Sequence, residues 1–413
     1  MKNLALPGHT ASAAAIVAAI VLLAVPQVRA ETGVIAWEKR LYPVDHLPFN
    51  EVRLVAPDAA GNTFYAGFGW DDDPTVAWVN KLDPAGALVW AYDLAVGPAI
   101  TVPTDMITDK SGRVVVGGGT GRYYSRPEGG GFVAKLSAST GQPVWIRSLS
   151  TPRNDFVARI ALDPNEYIFA AMNGALVKLK PSGAIAWQVD AAAQLLRVNA
   201  KGEAIIAGQD SAGANWLAKW LSSGRLAWKK RLTGKAASII LDPKGNIIVG
   251  YGGVIAKYSD DGNIQWKRQQ AVIGDISTDG RSDLYAMTGK NNLSKFSGVD
   301  GGLLWTITRD VPDDYEYMSL LRADSAGASI VYGQGCCYDD HWGDREYYWV
   351  AKYDTNGTLM WSQSAASSAE YFDEVSVARA ALHRSGAVFL SVSTEVSDGT
   401  ADGAWAVKFE VIP

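Results

Sequence analysis

The chain has 413 residues, 48% of them apolar, and its 43 acidic side chains outnumber 38 basic ones to leave a formal net charge of −5 at pH 7. A mildly acidic chain without a basic stripe lacks the electrostatic attraction that dominates nucleic-acid affinity, so nucleic acid is excluded as an expected partner. Beyond the N-terminus no stretch is long and apolar enough to span a bilayer, which takes about 20 residues.

The N-terminal stretch is read first. Ala13 to Val25 is an unbroken apolar run preceded by one charge, Lys2. It is short for a membrane span, and Pro26 and the small-residue pattern Val28-Arg29-Ala30 follow it, as in a secretory signal cut after Ala30. An uncleaved anchor is the alternative. No Cys follows the run to carry a lipid, so residues 1–30 are expected to be a signal peptide. Residues 31–413 are then a periplasmic or secreted chain, expected to be a monomer.

Along this chain a Gly stands four residues before a Trp eight times: Gly33/Trp37, Gly86/Trp90, Gly141/Trp145, Gly183/Trp187, Gly224/Trp228, Gly262/Trp266, Gly301/Trp305 and Gly357/Trp361. A Lys lies nine or ten residues before seven of those Trp (Lys81, Lys135, Lys178, Lys219, Lys257, Lys295 and Lys352), and Lys408 ends the series. Self-similarity at roughly 40 to 55 residues, with four strand-like pieces per repeat, predicts an all-β fold, a β-propeller. Length alone allows two or three domains. The even spread of the repeat argues for one eight-bladed ring over 31–413.

In the first full repeat, Val52 to Val55, Thr63 to Phe68, Thr75 to Leu82 and Leu88 to Leu94 read as four antiparallel strands. The turn Asp58-Ala59-Ala60-Gly61 joins the first two, because a late Gly takes the positive φ that a tight hairpin needs. Equivalent turns start at Asp109, Asn199, Asp242, Asp324 and His383, while Asp163 to Glu166 has no Gly and Thr278-Asp279-Gly280 carries its Gly early. None has the alternating ligands and distal Glu of a calcium loop. The repeated Trp is expected on the outermost strand, packed between blades. Trp78, Trp216, Trp349 and Trp405, three residues before the repeat Lys, are expected in the core as well.

The two ends complement each other. Ala404 to Val411 reads as a third strand without a fourth, and Gly33 to Tyr42 as a fourth strand without predecessors. Pairing them completes the eighth blade and removes the open edges.

Ala134-Lys135-Leu136-Ser137-Ala138-Ser139-Thr140-Gly141-Gln142-Pro143-Val144-Trp145 resembles the repeat of the pyrroloquinoline quinone (PQQ)-like β-propellers, and weaker forms occur in the other blades. The resemblance implies one of two kinds of protein. One comprises quinone-dependent alcohol and sugar dehydrogenases; the other comprises non-catalytic scaffolds such as the outer-membrane assembly factor of Gram-negative bacteria.

Loop length localises function. From the hairpin Gly, or its equivalent, to the repeat Lys, blades 1 to 8 use 20, 23, 12, 17, 12, 13, 25 and 22 residues. The long connections fall in blades 7, 8, 1 and 2, consecutive around a closed ring and on one face. Long loops on a rigid scaffold are where binding usually resides. The candidate binding residues there are Trp70, Asp71, Asp72 and Asp73 on blade 1, and Arg122, Tyr123 and Arg126 on blade 2. Blade 7 adds Cys336, Cys337, Asp339, Asp340, His341, Trp342, Asp344 and Arg345.

Cys336 and Cys337 are adjacent, and a bridge between them would be a strained ring, since neighbouring Cα atoms are ~3.8 Å apart. The resemblance implies a vicinal disulfide lying against a quinone, as in the PQQ-dependent alcohol dehydrogenases; the structural alternative, which is favoured, is a ring that stiffens a long loop. No catalytic Asp, calcium-ligating pair or stacking Trp of the dehydrogenases matches a motif here, so no catalytic residue is assigned. The expectation is an exported, non-catalytic scaffold binding a protein or glycan. The alternatives are a PQQ- and calcium-dependent oxidoreductase and a carbohydrate-active propeller.

Overall fold

Each repeat is organised by its first hairpin turn. In blade 1, Asp58 Oδ1 accepts the N–H groups of Ala60 and Asn62 at 2.9 and 3.0 Å, while Gly61 N–H donates to the Asp58 carbonyl at 3.1 Å. The same arrangement recurs around Asp109, Asp163, Asp242, Asp279 and Asp324, with Asn199 in blade 4. His383 replaces the carboxylate in blade 8, where Nδ1 accepts Ser385 N–H at 3.2 Å. The two turns without a late Gly keep the same backbone, with Glu166 at φ 66° and Ser282 at φ 72°. In each carboxylate turn Oδ1 is engaged by the backbone N–H groups of its own turn.

The computed structural model describes residues 32–41, 49–70, 76–97, 100–121, 129–150, 156–272, 274–309, 317–337, 345–366, 374–395 and 403–412. Among them, strands assemble into eight four-stranded antiparallel sheets. In sequence order the blades span 49–94, 100–149, 157–190, 195–231, 236–269, 276–308 and 317–366, and the eighth combines 374–412 with 32–41. Blade 1 has strands Phe49–Pro57, Thr63–Trp70, Val76–Leu82 and Leu88–Leu94, close to the boundaries read from the sequence. The signal-peptide reading of 1–30 lies outside the described residues.

Thr32–Leu41 pairs antiparallel with Gly403–Ile412, from Thr32 opposite Ile412 to Leu41 opposite Ala404. The N-terminal strand therefore closes the eighth blade. First strands of successive blades touch one another in an unbroken cycle, blade 8 returning to blade 1, and surround the axis of the ring.

The core lies between blades. Leu54, Phe64, Val79 and Trp90 of blade 1 pack on Val114, Val116 and Phe132 of blade 2, and comparable clusters fill the other interfaces. Trp78, Trp216 and Trp349 are buried third-strand residues. Burying such rings contributes the largest share of apolar area per residue.

The Gly-x-x-x-Trp beat has a specific cause. Every repeat Gly lies beneath the Trp of the preceding blade: Gly86 under Trp37, Gly141 under Trp90, and so on round to Gly357 under Trp305 and Gly33 under Trp361. A Cβ on these Gly would stand 2.3 to 3.3 Å from the indole carbons. Each stacked Trp from Trp37 to Trp305 also donates its Nε1–H to a carbonyl in that next turn, as Trp187 does to Ser222 at 2.9 Å.

Candidate functional site

The repeat Lys, unexplained by the sequence reading, joins blade to blade. Lys135 Nζ sits 2.6 Å from Asp109 Oδ2, the turn carboxylate of its own blade, with both side chains at most 1% exposed. Lys178–Asp163 at 3.2 Å and Lys257–Asp242 at 2.8 Å repeat the pair, and in blade 4, where Asn199 caps the turn, Glu203 takes over at 2.7 Å from Lys219. Lys257 also donates at 2.8 Å to the Gly298 carbonyl, which accepts Trp266 Nε1–H. Lys81 and Trp90 share the Ala138 carbonyl, and Lys408 and Trp37 share that of Pro84. These cations are structural.

The loop sector has a built foundation. Second and third strands of blades 7, 8, 1 and 2 are 7 to 10 residues long. Those of blades 3 to 6 have only 5 or 6. At about 3.3 Å per residue the inner hairpins of that sector run farther along the strand direction. In blade 7 the pairing continues to Cys336 opposite Glu346 and Cys337 opposite Arg345.

Of the candidate residues, Trp70 ends the second strand of blade 1 opposite Phe49. Cys336 and Cys337 end that of blade 7, and Arg345 begins its third strand. Asp71, Asp72, Asp73, Arg122, Tyr123, Arg126, Asp339, Asp340, His341, Trp342 and Asp344 lie outside the described residues.

The sequence reading missed a band of charge around the axis. Asp105, Arg159, Ser238, Asp275 and Arg379 each stand four residues before the capping residue of a first hairpin, at one height on blades 2, 3, 5, 6 and 8. A β-bulge immediately precedes Asp105, Arg159, Ser238 and Arg379. Such bulges re-aim the side chain that follows. Arg197 on blade 4 and Arg322 on blade 7 stand two residues before their caps. Arg197 interacts electrostatically with Asp105, Asp275, Arg159 and also Arg379, which is four blades away and so across the ring.

Burial pushes the Asp105 carboxyl up, against the Ile160 N–H that donates to Oδ2 at 2.9 Å and the charges of Arg379 and Arg159. Burial likewise lowers Arg197. Asp275 Oδ1 accepts the Ser238 hydroxyl at 3.4 Å. The one signal in the sequence was a charge two or four residues before the turn, on or just before the first strands of six blades.

Comparison with known proteins agrees with the propeller fold. A family model described as outer membrane protein assembly factor BamB, of the PQQ-like repeat type, matches residues 211–338. The crystal structure of BamB from Moraxella catarrhalis is similar at 14% identity, covering 92% of this chain and 97% of that one, with a TM-score of 0.54. Chaetomium thermophilum Sqt1, solved bound to the N-terminus of the ribosomal protein L10, is similar at 13% identity, covering 87% and 97%, with a TM-score of 0.56. No curated protein sequence matches the chain.

Proposed function

We propose that this chain, a PQQ-like β-propeller repeat protein, is an exported scaffold that captures a protein partner through the loops of blades 7, 8, 1 and 2. The carrying observation is the extended middle hairpin of each blade in that sector. The long Gly-to-Lys spans of the sequence are taken up there largely by second and third strands of 7 to 10 residues, against 5 or 6 in blades 3 to 6. A rigid ring holding long acidic and aromatic loops offers preorganised contact area, with Trp70, Trp342 and Tyr123 as aromatic anchors and Asp71 to Asp73, Asp339 and Asp340 as charged selectors. Sqt1, with a similar fold, was solved with a protein segment bound. That supports protein capture as a use of such a ring.

The test is a pull-down from envelope extract with the mature chain and with a variant carrying W70A, D339A, D340A and W342A. Loss of the captured protein at unchanged melting supports the lobe; the same capture by both rejects it. A glycan array on the same pair of proteins separates the carbohydrate reading.

The quinoprotein alternative meets a chemical obstacle in the described channel. Calcium takes 6 to 8 oxygen ligands. Asp105 and Asp275 stand instead among three arginines, whose charges compete with a cation for the carboxylates. The donor set at the axis does not fit calcium; the quinoprotein alternative would place its cofactor at Cys336 and Cys337 instead.

A further inference from the structure

The band of charge at the axis carries an inference independent of the loop lobe. Arg159, Arg197 and Arg379 reach it from blades 3, 4 and 8, and Arg322 stands on blade 7 at the height of Arg197. Two carboxylates, Asp105 and Asp275, answer them, and both already accept a hydrogen bond from elsewhere. Among the described residues the side-chain hydrogen bonds of Arg159 and Arg197 go to their own strands. Nη1 of each donates to the preceding carbonyl, Ala158 and Leu196, at 2.8 Å. Each guanidinium has five N–H donors in a fixed fork, so most remain for another acceptor. Two carboxylates thus stand among three half-buried guanidinium groups, which leaves one positive charge in excess and free N–H donors for a further acceptor.

The hairpin face of the ring also holds a cavity, which Arg322 lines. This cavity of about 680 Å³ lies between the first hairpins of blades 5 to 8, lined also by Asp242, Asp279, Asp324 and His383 among others. The carboxylates on its wall are engaged: Asp242 pairs with Lys257, Asp279 with Lys295, and Asp324 with its own turn amides. Arg322 is an exposed residue on that wall.

We propose that the waist of the central channel is a binding site for a small doubly charged oxyanion, phosphate or a dicarboxylate, held by Arg159, Arg197 and Arg379, with Arg322 adding its charge. Guanidinium forks match the paired oxygens of such groups, and lysine does not replace that geometry. With Arg322 counted, the four guanidinium groups exceed Asp105 and Asp275 by two charges, which a dianion neutralises.

The experiment is calorimetric titration of the mature chain with inorganic phosphate, sulfate and succinate, in chloride-balanced buffer at constant ionic strength. Saturable binding of at least one of them is expected, with the preferred anion separating phosphate-type from carboxylate ligands. Arg197→Gln and Arg379→Gln should each weaken it by about tenfold or more, with Arg197→Lys falling between. Asp105→Asn, which keeps an acceptor for Ile160 N–H, should tighten it severalfold. Lys229→Gln on the outer strand of blade 4 should leave it unchanged. That tightening guards against misreading a variant that merely folds badly. Absence of saturable binding in the wild type, or equal binding in wild type, Arg197→Gln and Asp105→Asn, overturns the site.

Discussion

Gly33 lies beneath the indole of Trp361, so close that a Cβ on Gly33 would stand 2.3 Å from Trp361 Cε3. The two residues are far apart in sequence, one in the strand that closes blade 8 and the other on the outer strand of blade 7. Four residues on, Trp37 covers Gly86 of blade 1. The N-terminal strand is thus locked to both neighbours of its own blade.

Gly33→Val should destabilise the ring by about 1–3 kcal/mol, the usual cost of forcing extra carbon into a packed site. Chemical denaturation of the mature chain and the variant measures it. Removing residues 31–42 should do more, exposing the edge of Gly403–Ile412 and giving an aggregating product. A soluble, cooperatively melting deletion would contradict closure by this strand.

Lys135→Met leaves the Asp109 carboxylate stranded where neither side chain is more than 1% exposed. Breaking one side of a buried pair costs about 3–5 kcal/mol, whereas removing both charges costs far less. The double variant K135M/D109N should therefore recover more than half of the loss, because Asn keeps the turn acceptor for Ser111 and Arg113. Equal melting of single and double variants would mean that the ion pair is not the cause.

Acid should dissolve the same pairs. Burial pushes Asp109 and Asp242 up, but the hydrogen bonds and charges of Lys135 and Lys257, together with the turn amides, outweigh it and hold both below the ordinary range. A depressed carboxyl contributes stability that is present above its unfolded value, about pH 4, and is lost as pH falls through the folded value. The melting temperature should drop steeply below about pH 4 and less steeply in K135M/D109N. Parallel acid limbs for the two proteins would refute the assignment.

Ser282 occupies the hairpin position that Gly holds in most blades, at φ 72°, and its hydroxyl is buried without a hydrogen-bond partner. Ser282→Gly relieves both, and should raise stability by about 1 kcal/mol after the entropy cost of Gly. Denaturant midpoints of the two proteins decide it, an unchanged or lower midpoint counting against the strain.

The repeat was legible because its parts are local. Gly86 and Trp90, the turn at Asp58 and the strand Leu88–Leu94 are each specified within a few residues, and eight copies reinforce one another. The match of Gly33–Tyr42 to Ala404–Val411 was also visible, since each lacked what the other supplies. Loop lengths marked the sector where blades 7, 8, 1 and 2 carry longer strands.

Partnership between blades was not legible. Nothing near Gly86 names Trp37 as the ring above it, and nothing near Lys257 names Gly298 as its acceptor. Arg197 and Arg379 belong to no motif, stand on opposite blades, and come within electrostatic reach of each other only through the ring. The sequence by itself determined strands, turns and the number of blades, since these follow from backbone preference and periodic burial over short spans. The tertiary structure alone decided which charges converge at the axis, because electrostatic neighbours across a ring are set by closure and not by distance along the chain.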